Sequence, residues 1–342
     1  MKKKKMRIVT LAAVVIVLAV VSLWKNLSAR DHHVASVDES DGIEKIDPKG
    51  PAFSADTAYM FCEQQCQFGP RTMNSTAHEQ CRQWIVKTFQ ELGCEVVQQE
   101  AVLNGYDGTA LKSTNIIARS LPALTDRILV CAHWDSRPWA DNDPDEANWK
   151  TPVLAANDGA SGVAVMLELA RLLQQVPAGV GVDFVALDAE DWGVPQWENR
   201  QDGDDTWALG AQYFAEHVPE GMTPRYGVLL DMVGGQGAQF FVEYFSRQYA
   251  PDIVKKVWKA SRRAGYGSFF PQKNGGAITD DHIPLNRVAG IPTVDIIPYY
   301  PDCQQSSFGP TWHTVSDDMA HIDRATLKAV GQTMVQLIYT EK

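Results

Sequence analysis

Positive charge is scarce in this 342-residue chain: 31 lysines and arginines stand against 42 aspartates and glutamates, for a net charge of −11. Lys2, Lys3, Lys4, Lys5 and Arg7 are crowded at the N-terminus, and without these five the remainder carries −16. That balance argues against nucleic acid as a partner, because a phosphate backbone needs a basic footprint. It suits solubility and, around a peptide site, a substrate with a free ammonium group. Cys-x-x-Cys pairs are absent, so no zinc ribbon is built from Cys62, Cys66, Cys81, Cys94, Cys131 and Cys303. An even number of cysteines permits disulfides in an exported chain without ranking their pairing, and Cys131, inside an apolar run, reads as a core thiol. No Gly-x-Ser-x-Gly elbow is present, which removes support for a serine hydrolase. The folded region also lacks internal repeats and low-complexity tracts.

One long apolar run occurs, from Ile8 to Trp24 behind the four lysines. As a helix it spans roughly 25 Å, a little short of the ~30 Å hydrocarbon core. No clear Ala-x-Ala cleavage site follows, and Trp24-Lys25 resembles an interfacial end. Residues 1–25 are therefore expected to be an N-terminal membrane anchor or signal segment, touching the membrane through residues 8–24. The bulk is expected to be exported and periplasmic, tethered to the inner membrane. Residues 26–51, with Pro48-Lys49-Gly50-Pro51, read as a linker. Residues 52–342 remain for one domain, expected to be monomeric.

Ser54 can cap a helix running to about Gln67, and Thr76 to Leu92 has helical spacing ended by Gly93. Strand-like stretches follow at 94–103 and 111–119. Arg127 to His133 and Val182 to Leu187 are continuous apolar runs, as expected of strands buried on both faces. Helices at 161–174, 207–217, 253–263 and 326–339 alternate with strands at 226–232 and 293–297. This alternation predicts a three-layer α/β/α sandwich with a mostly parallel central sheet. Ligands in such sheets bind beyond the carboxyl ends of the strands, where His133, Glu190, Asp191 and Asp231 all fall. The long irregular connections at 137–152, 193–206 and 299–311 are placed to shape a site. Several of the ten tryptophans lie near these segments.

His133-Trp134-Asp135, Asn157-Asp158-Gly159, Glu190-Asp191, Asp231 and Trp312-His313-Thr314 supply the carboxylates and imidazoles that zinc takes from proteins. Each has a simpler explanation by itself. Glu190-Asp191 could be a solvated acidic loop, Asp158 a helix cap, and His133 or His313 a structural histidine. Two adjacent acids at a strand end repel, and a divalent cation relieves that.

The order His-x-Asp, Asn-Asp-Gly, paired acids, Leu229-Leu230-Asp231-Met232-Val233-Gly234, Asp280-Asp281-His282 and Trp-His-Thr resembles the zinc aminopeptidase superfamily. More closely it is similar to the glutaminyl-peptide cyclotransferase branch, over about residues 54 to 340. The resemblance implies one zinc per chain on Asp158, Asp191 and His313, with Glu190 as acid/base. Asp231 and Asp280 match a buried hydrogen-bond network. Trp312, Trp197 and Phe308 match aromatic pocket walls. The implied substrates are peptides or proteins beginning with glutamine, cyclised to pyroglutamate with release of ammonia. Animal members carry two glutamates where this chain has Glu190-Asp191, and the shorter aspartate brings the strand end closer to a metal.

A two-zinc aminopeptidase would use the same residues, with His133 and Asp231 as ligands of the second metal. By resemblance, Asp280 and Trp312 favour the cyclase, since aminopeptidases commonly have a small residue and a tyrosine there. A non-catalytic relative would be expected to lack a ligand or the base, and none is missing.

Overall fold

The computed structural model describes residues 45–198 and 204–341. The expected anchor, and the linker through residue 44, lie outside the described residues. Among the described residues no helix is long and apolar enough to cross a membrane. Residues 47–53, at the end of the expected linker, are laid onto the domain. Asp47 N–H donates to Arg263 O at 2.9 Å, and Lys49 and Phe53 N–H donate to the side chains of Gln336 and Gln332.

Two N-terminal helices, α1 (Ala55–Gln67) and α2 (Thr76–Glu91), begin at Ser54 and Ser75, whose side chains accept backbone N–H groups. Strands β1 (Glu95–Asn104) and β2 (Ala110–Ser120) form an antiparallel pair. Then come β3 (Arg127–His133), α3 (Ala160–Gln175), β4 (Gly181–Leu187), α4 (Leu209–Glu216) and β5 (Gly227–Leu230). Helices α5 (Tyr244–Tyr249), α6 (Pro251–Ala264) and α7 (His282–Arg287) precede β6 (Thr293–Ile296), and α8 (Arg324–Thr340) closes the order.

The sheet order is β1-β2-β4-β3-β5-β6. Pairings among β4, β3, β5 and β6 are parallel, and β2 joins β4 antiparallel. Side chains alternate across a strand, and both faces are covered here. Ile128, Val130 and Ala132 of β3 face the large core with α3 and α8, while Leu129 and Cys131 face a smaller core with α4 and α7. That two-sided burial explains the continuous apolar runs. The expected three-layer sandwich is the observed fold.

Strand β3 lies between β4 on one side and β5 on the other. Its carboxyl end is therefore the switch point where a crevice opens in a parallel sheet. His133 ends β3, Asp231 follows β5, and Glu190 and Asp191 lie just past β4. Helix α3 can lie close against the sheet because of Gly162. A Cβ there would sit 2.2 Å from Leu230 O and 2.7 Å from the Ala132 Cβ.

Three differences from the periodicity reading have clear causes. Helices α5 and α7 have six residues each, too few to display a repeat. The expected helix at 207–217 starts at Leu209 because Ala208 is left-handed, with φ 55°. The expected strand at 226–232 ends at Leu230, and Met232 turns to φ 49°.

Candidate active site

Asp135 accepts the backbone N–H of Glu190 on one carboxylate oxygen and that of Asp191 on the other, each at 3.1 Å. This clamp fixes how the acid pair leaves β4. Behind it, Asp188 accepts Thr114 N–H at 2.6 Å and pairs with His78 Nε2 at 2.8 Å. The His78 ring stacks on Trp134 at 4.2 Å. Ala189, just before the acid pair, takes φ 52°.

Asp158 is set by a second clamp. The buried Asp317 carboxylate accepts Asn157 and Asp158 N–H at 2.7 and 3.0 Å. Burial pushes the Asp317 carboxyl up to about 7. Asn157 in turn accepts Gly234 N–H at 2.9 Å, and Ser161 Oγ accepts Val233 N–H at 2.9 Å, tying this loop to the segment after Asp231. Gly159 is required here. Its φ is +110°, and a Cβ would stand 2.7 Å from Asp135 O and 3.1 Å from the His133 ring.

These supports bring together two three-residue groups that share Asp158: Asp158, Asp191 and His313, and His133, Asp158 and Asp231. All five residues are buried, and within each group the ligand atoms lie within 4.8 Å of one another. His313 Nε2 is 3.3 Å from Asp191 Oδ1 and 3.6 Å from Asp158 Oδ2. His133 Nε2 is 3.0 Å from Asp158 Oδ1 and 3.3 Å from Asp231 Oδ1. A tetrahedral zinc with bonds of about 2.0–2.1 Å sets its ligand atoms roughly 3.3–3.4 Å apart. The buried Asp191 Oδ2 and Asp231 Oδ1 have no hydrogen-bond partner. The donor set and spacing therefore fit zinc. Asp141 Oδ1 lies 3.4 Å from His313 Nδ1, the position of a carboxylate that orients a ligating imidazole.

Burial, then the charge of Asp191, raises the Glu190 carboxyl well above its ordinary range. Burial likewise raises Asp280, reinforced by Asp231 and Asp281. Burial also raises Asp191, with His313 and Arg137 pulling the other way. For His133, burial disfavours the charged form, but Asp135, Asp158 and Asp231 outweigh it and the net shift is strongly upward.

A hollow of about 250 Å³ opens over these groups. Glu190, Asp231 and Asp280 line it together with Asp158 and His313, and Trp312 and Phe308 wall it. Trp312 stacks on His313 at 3.7 Å, and Phe308 is tilted against Trp312 at 4.8 Å. Asp191 and His133 are not part of this lining. Trp197 lies outside it, stacked on Trp149 at 6.2 Å and edge-on to Trp139 at 5.9 Å. Trp207 lines the hollow.

Sequence reasoning missed Arg137, Asp141, Asp317 and the place of Trp207 in the wall. Arg137 is buried, binds Asp141 through two 2.7 Å bonds and reaches Asp191 Oδ1 at 3.1 Å, under the Trp207 ring at 4.6 Å. The only signal was that these residues sit in or beside long connections. Ala155, Ala189, Ala208, Met232 and His313 all have positive φ and all adjoin the site. Strain of this kind persists where surrounding contacts over-determine the backbone.

Fold and site define an α/β protein with a cleft at the carboxyl edge of its sheet, lined by side chains of the kind that ligate metals. The chain belongs to peptidase family M28, whose family model matches residues 115–338. It is 49% identical to a Bacteroides thetaiotaomicron glutaminyl cyclase solved with N-acetylhistamine, covering 86% of this chain and 100% of that one, at a TM-score of 0.84. A Tannerella forsythia glutaminyl cyclase is 48% identical over 85% of this chain and 100% of its own, at 0.82. A structure described as a leucine aminopeptidase precursor from Bacteroides thetaiotaomicron is 48% identical over 86% and 100%, at 0.83. The chain spans 48% of the Bacillus subtilis aminopeptidase YwaD, at 29% identity over 71% of itself. It spans 63% of a Gloydius blomhoffii glutaminyl-peptide cyclotransferase, at 26% identity over 65% of itself.

Proposed function

We propose that this protein is a glutaminyl-peptide cyclotransferase, converting N-terminal glutamine of peptides and proteins to pyroglutamate with one zinc held by Asp158, Asp191 and His313. The observation that carries it is the placing of Glu190, Asp231 and Asp280 in one aromatic-walled hollow beside Asp158 and His313. The likeness to glutaminyl cyclases at 48–49% identity supports the same reading.

Zinc bound there supplies a Lewis acid that polarises the side-chain amide carbonyl. The chain's own residues do the rest. The hollow holds the substrate α-amine against its own side-chain amide carbon, so positioning replaces a second reactant. A carbon–nitrogen bond forms between them, and the bond to the amide nitrogen breaks. Glu190 accepts the proton released by the amine and returns it to the departing nitrogen, which leaves as ammonia. Burial and the neighbouring Asp191 raise the Glu190 carboxyl, which favours the protonated form it needs as the acid of that double duty. Asp231 and Asp280 hold and orient the nitrogen. Trp312, Phe308 and Trp207 exclude water and pack the flat amide.

Ammonia release from a Gln-initiated peptide, compared with its Nα-acetylated form, tests the reaction. A cyclase acts only on the free amine; equal release from both would mark a simple deamidase. The His133–Asp158–Asp231 group favours one second reading, a two-zinc aminopeptidase, which metal counting on the active enzyme separates. The proposal extends to place: a monomer exported and held at the inner membrane by residues 8–24. Recovery of the full chain in soluble periplasmic extract would contradict the tether.

A further inference from the structure

A second hollow, of about 260 Å³, adjoins the first. The two share Trp207, Thr279 and Asp280, so they are neighbouring compartments of one cleft. The second is framed by α4, α5 and α7, through Gln212, Phe245, Ile283 and Arg287. Apart from Trp207 and Asp280, its lining takes no part in the chemistry above.

Arg287 is the one cation among its lining residues. Its Nε donates to Tyr249 Oη at 2.8 Å, and its guanidinium lies 5.5 Å from the Phe245 ring centre and 5.6 Å from that of Tyr249. These contacts hold the head group in place. Yet among the described residues no carboxylate pairs with it, in a chain where acids outnumber bases 42 to 31. Asp205 also lines this hollow, from the turn before α4, whereas Arg287 comes from α7. A pre-positioned guanidinium with free Nη groups is a receptor for a carboxylate.

We propose that this hollow is a subsite for the second and third residues of the substrate, and that Arg287 selects an acidic side chain there. The inference rests on the cyclase reading for which end of the peptide enters first. Each residue after a glutamine in the first hollow advances about 3.3 Å in extended form, and Thr279 and Trp207 border both hollows. The occupant is a carboxylate. An aspartate or glutamate side chain is its source, and C-terminal amidation of the test peptides removes the chain-end alternative.

The test uses zinc-loaded enzyme and amidated peptides Gln-Ala-Ala-Phe, Gln-Glu-Ala-Phe, Gln-Ala-Glu-Phe and Gln-Lys-Ala-Phe. The better glutamate peptide is expected to exceed the neutral one by roughly threefold to tenfold in kcat/KM, with the difference in KM, as for an exposed ion pair that binds ground and transition states alike. High salt should shrink the ratio. Arg287→Gln should bring it to about one, and Arg287→Glu should invert it in favour of the lysine peptide. Lys255→Gln, a remote exposed cation, should leave it as in the wild type. Equal values for all four peptides in the wild type, or a ratio that survives Arg287→Gln, overturns the subsite while leaving the cyclase intact. No cyclisation of any peptide removes both.

Discussion

Asp135 and Glu190 are joined by a 3.1 Å bond from the Glu190 backbone N–H to the carboxylate of Asp135, two residues past the end of β3. The other oxygen of Asp135 takes Asp191 N–H at the same distance, and Asp135 also approaches His133 Nδ1 at 3.4 Å. One side chain thus aligns the proposed proton carrier, a proposed zinc ligand and the histidine between Asp158 and Asp231.

Asp135→Asn should therefore act through position. An amide has one accepting oxygen, so one of the two N–H clamps is lost. A fall in kcat of about tenfold to a hundredfold is expected, with weaker zinc retention, as for partners that orient metal ligands. Steady-state kinetics with zinc analysis of the purified variant checks it. Unchanged kcat and zinc content would show that the clamp is dispensable.

Glu190→Gln keeps the shape of the side chain and removes its proton chemistry. Turnover should fall by roughly 10²–10⁴, the range for a general acid–base group, while zinc content stays at the wild-type value. A wild-type rate in this variant would eliminate Glu190 as proton carrier.

The aromatic walls separate by position. Phe308 lines the hollow and Trp197 does not. Phe308→Ala should raise KM for a Gln-initiated peptide by roughly tenfold through lost apolar contact. Trp197→Ala should change it far less. A larger effect at Trp197 would return that residue to the pocket wall, as the sequence resemblance implied.

Much of this was legible before the structure, for identifiable reasons. Buried parallel strands require continuous apolar runs, so β3 and β4 stood out. The acids and histidines that end them then fell at one edge of the sheet by topology. Supporting residues were invisible because their roles depend on long-range contact. Arg137 and Asp191 are 54 residues apart yet 3.1 Å from each other, and Asp317 reaches Asn157 across 160 residues. No local pattern marks either. Helices α5 and α7 were hidden by their length. Trp207 was read as the start of a helix, whereas the left-handed Ala208 frees it to form a wall.

Away from the site, Glu341 ties the end of α8 to its surroundings. It accepts from Tyr226 Oη at 2.8 Å and pairs with Lys256 at 2.8 Å and Arg225 at 2.7 Å, with its side chain 5% exposed. Burial alone would raise its carboxyl, but the bonds from Lys256 and Tyr226 and the nearby positive charges outweigh burial and lower it. A carboxyl lowered by folding adds stability that is present above its unfolded pKa of about 4.3 and lost as pH falls through the folded value. Glu341→Gln should cost about 1–2 kcal/mol at pH 7, and the gap from the wild type should close in acid. Thermal or denaturant melts of both proteins across pH decide it. A gap that persists however far the pH is lowered would assign the effect to packing.

The most direct measurement is mass spectrometry of two peptides, one beginning with Gln and one with Leu, after incubation with the zinc-loaded protein. Loss of one ammonia from the Gln peptide, with the Leu peptide intact, is the expected result. Removal of the first residue from the Leu peptide would contradict the cyclase and make His133 and Asp231 ligands of a second zinc.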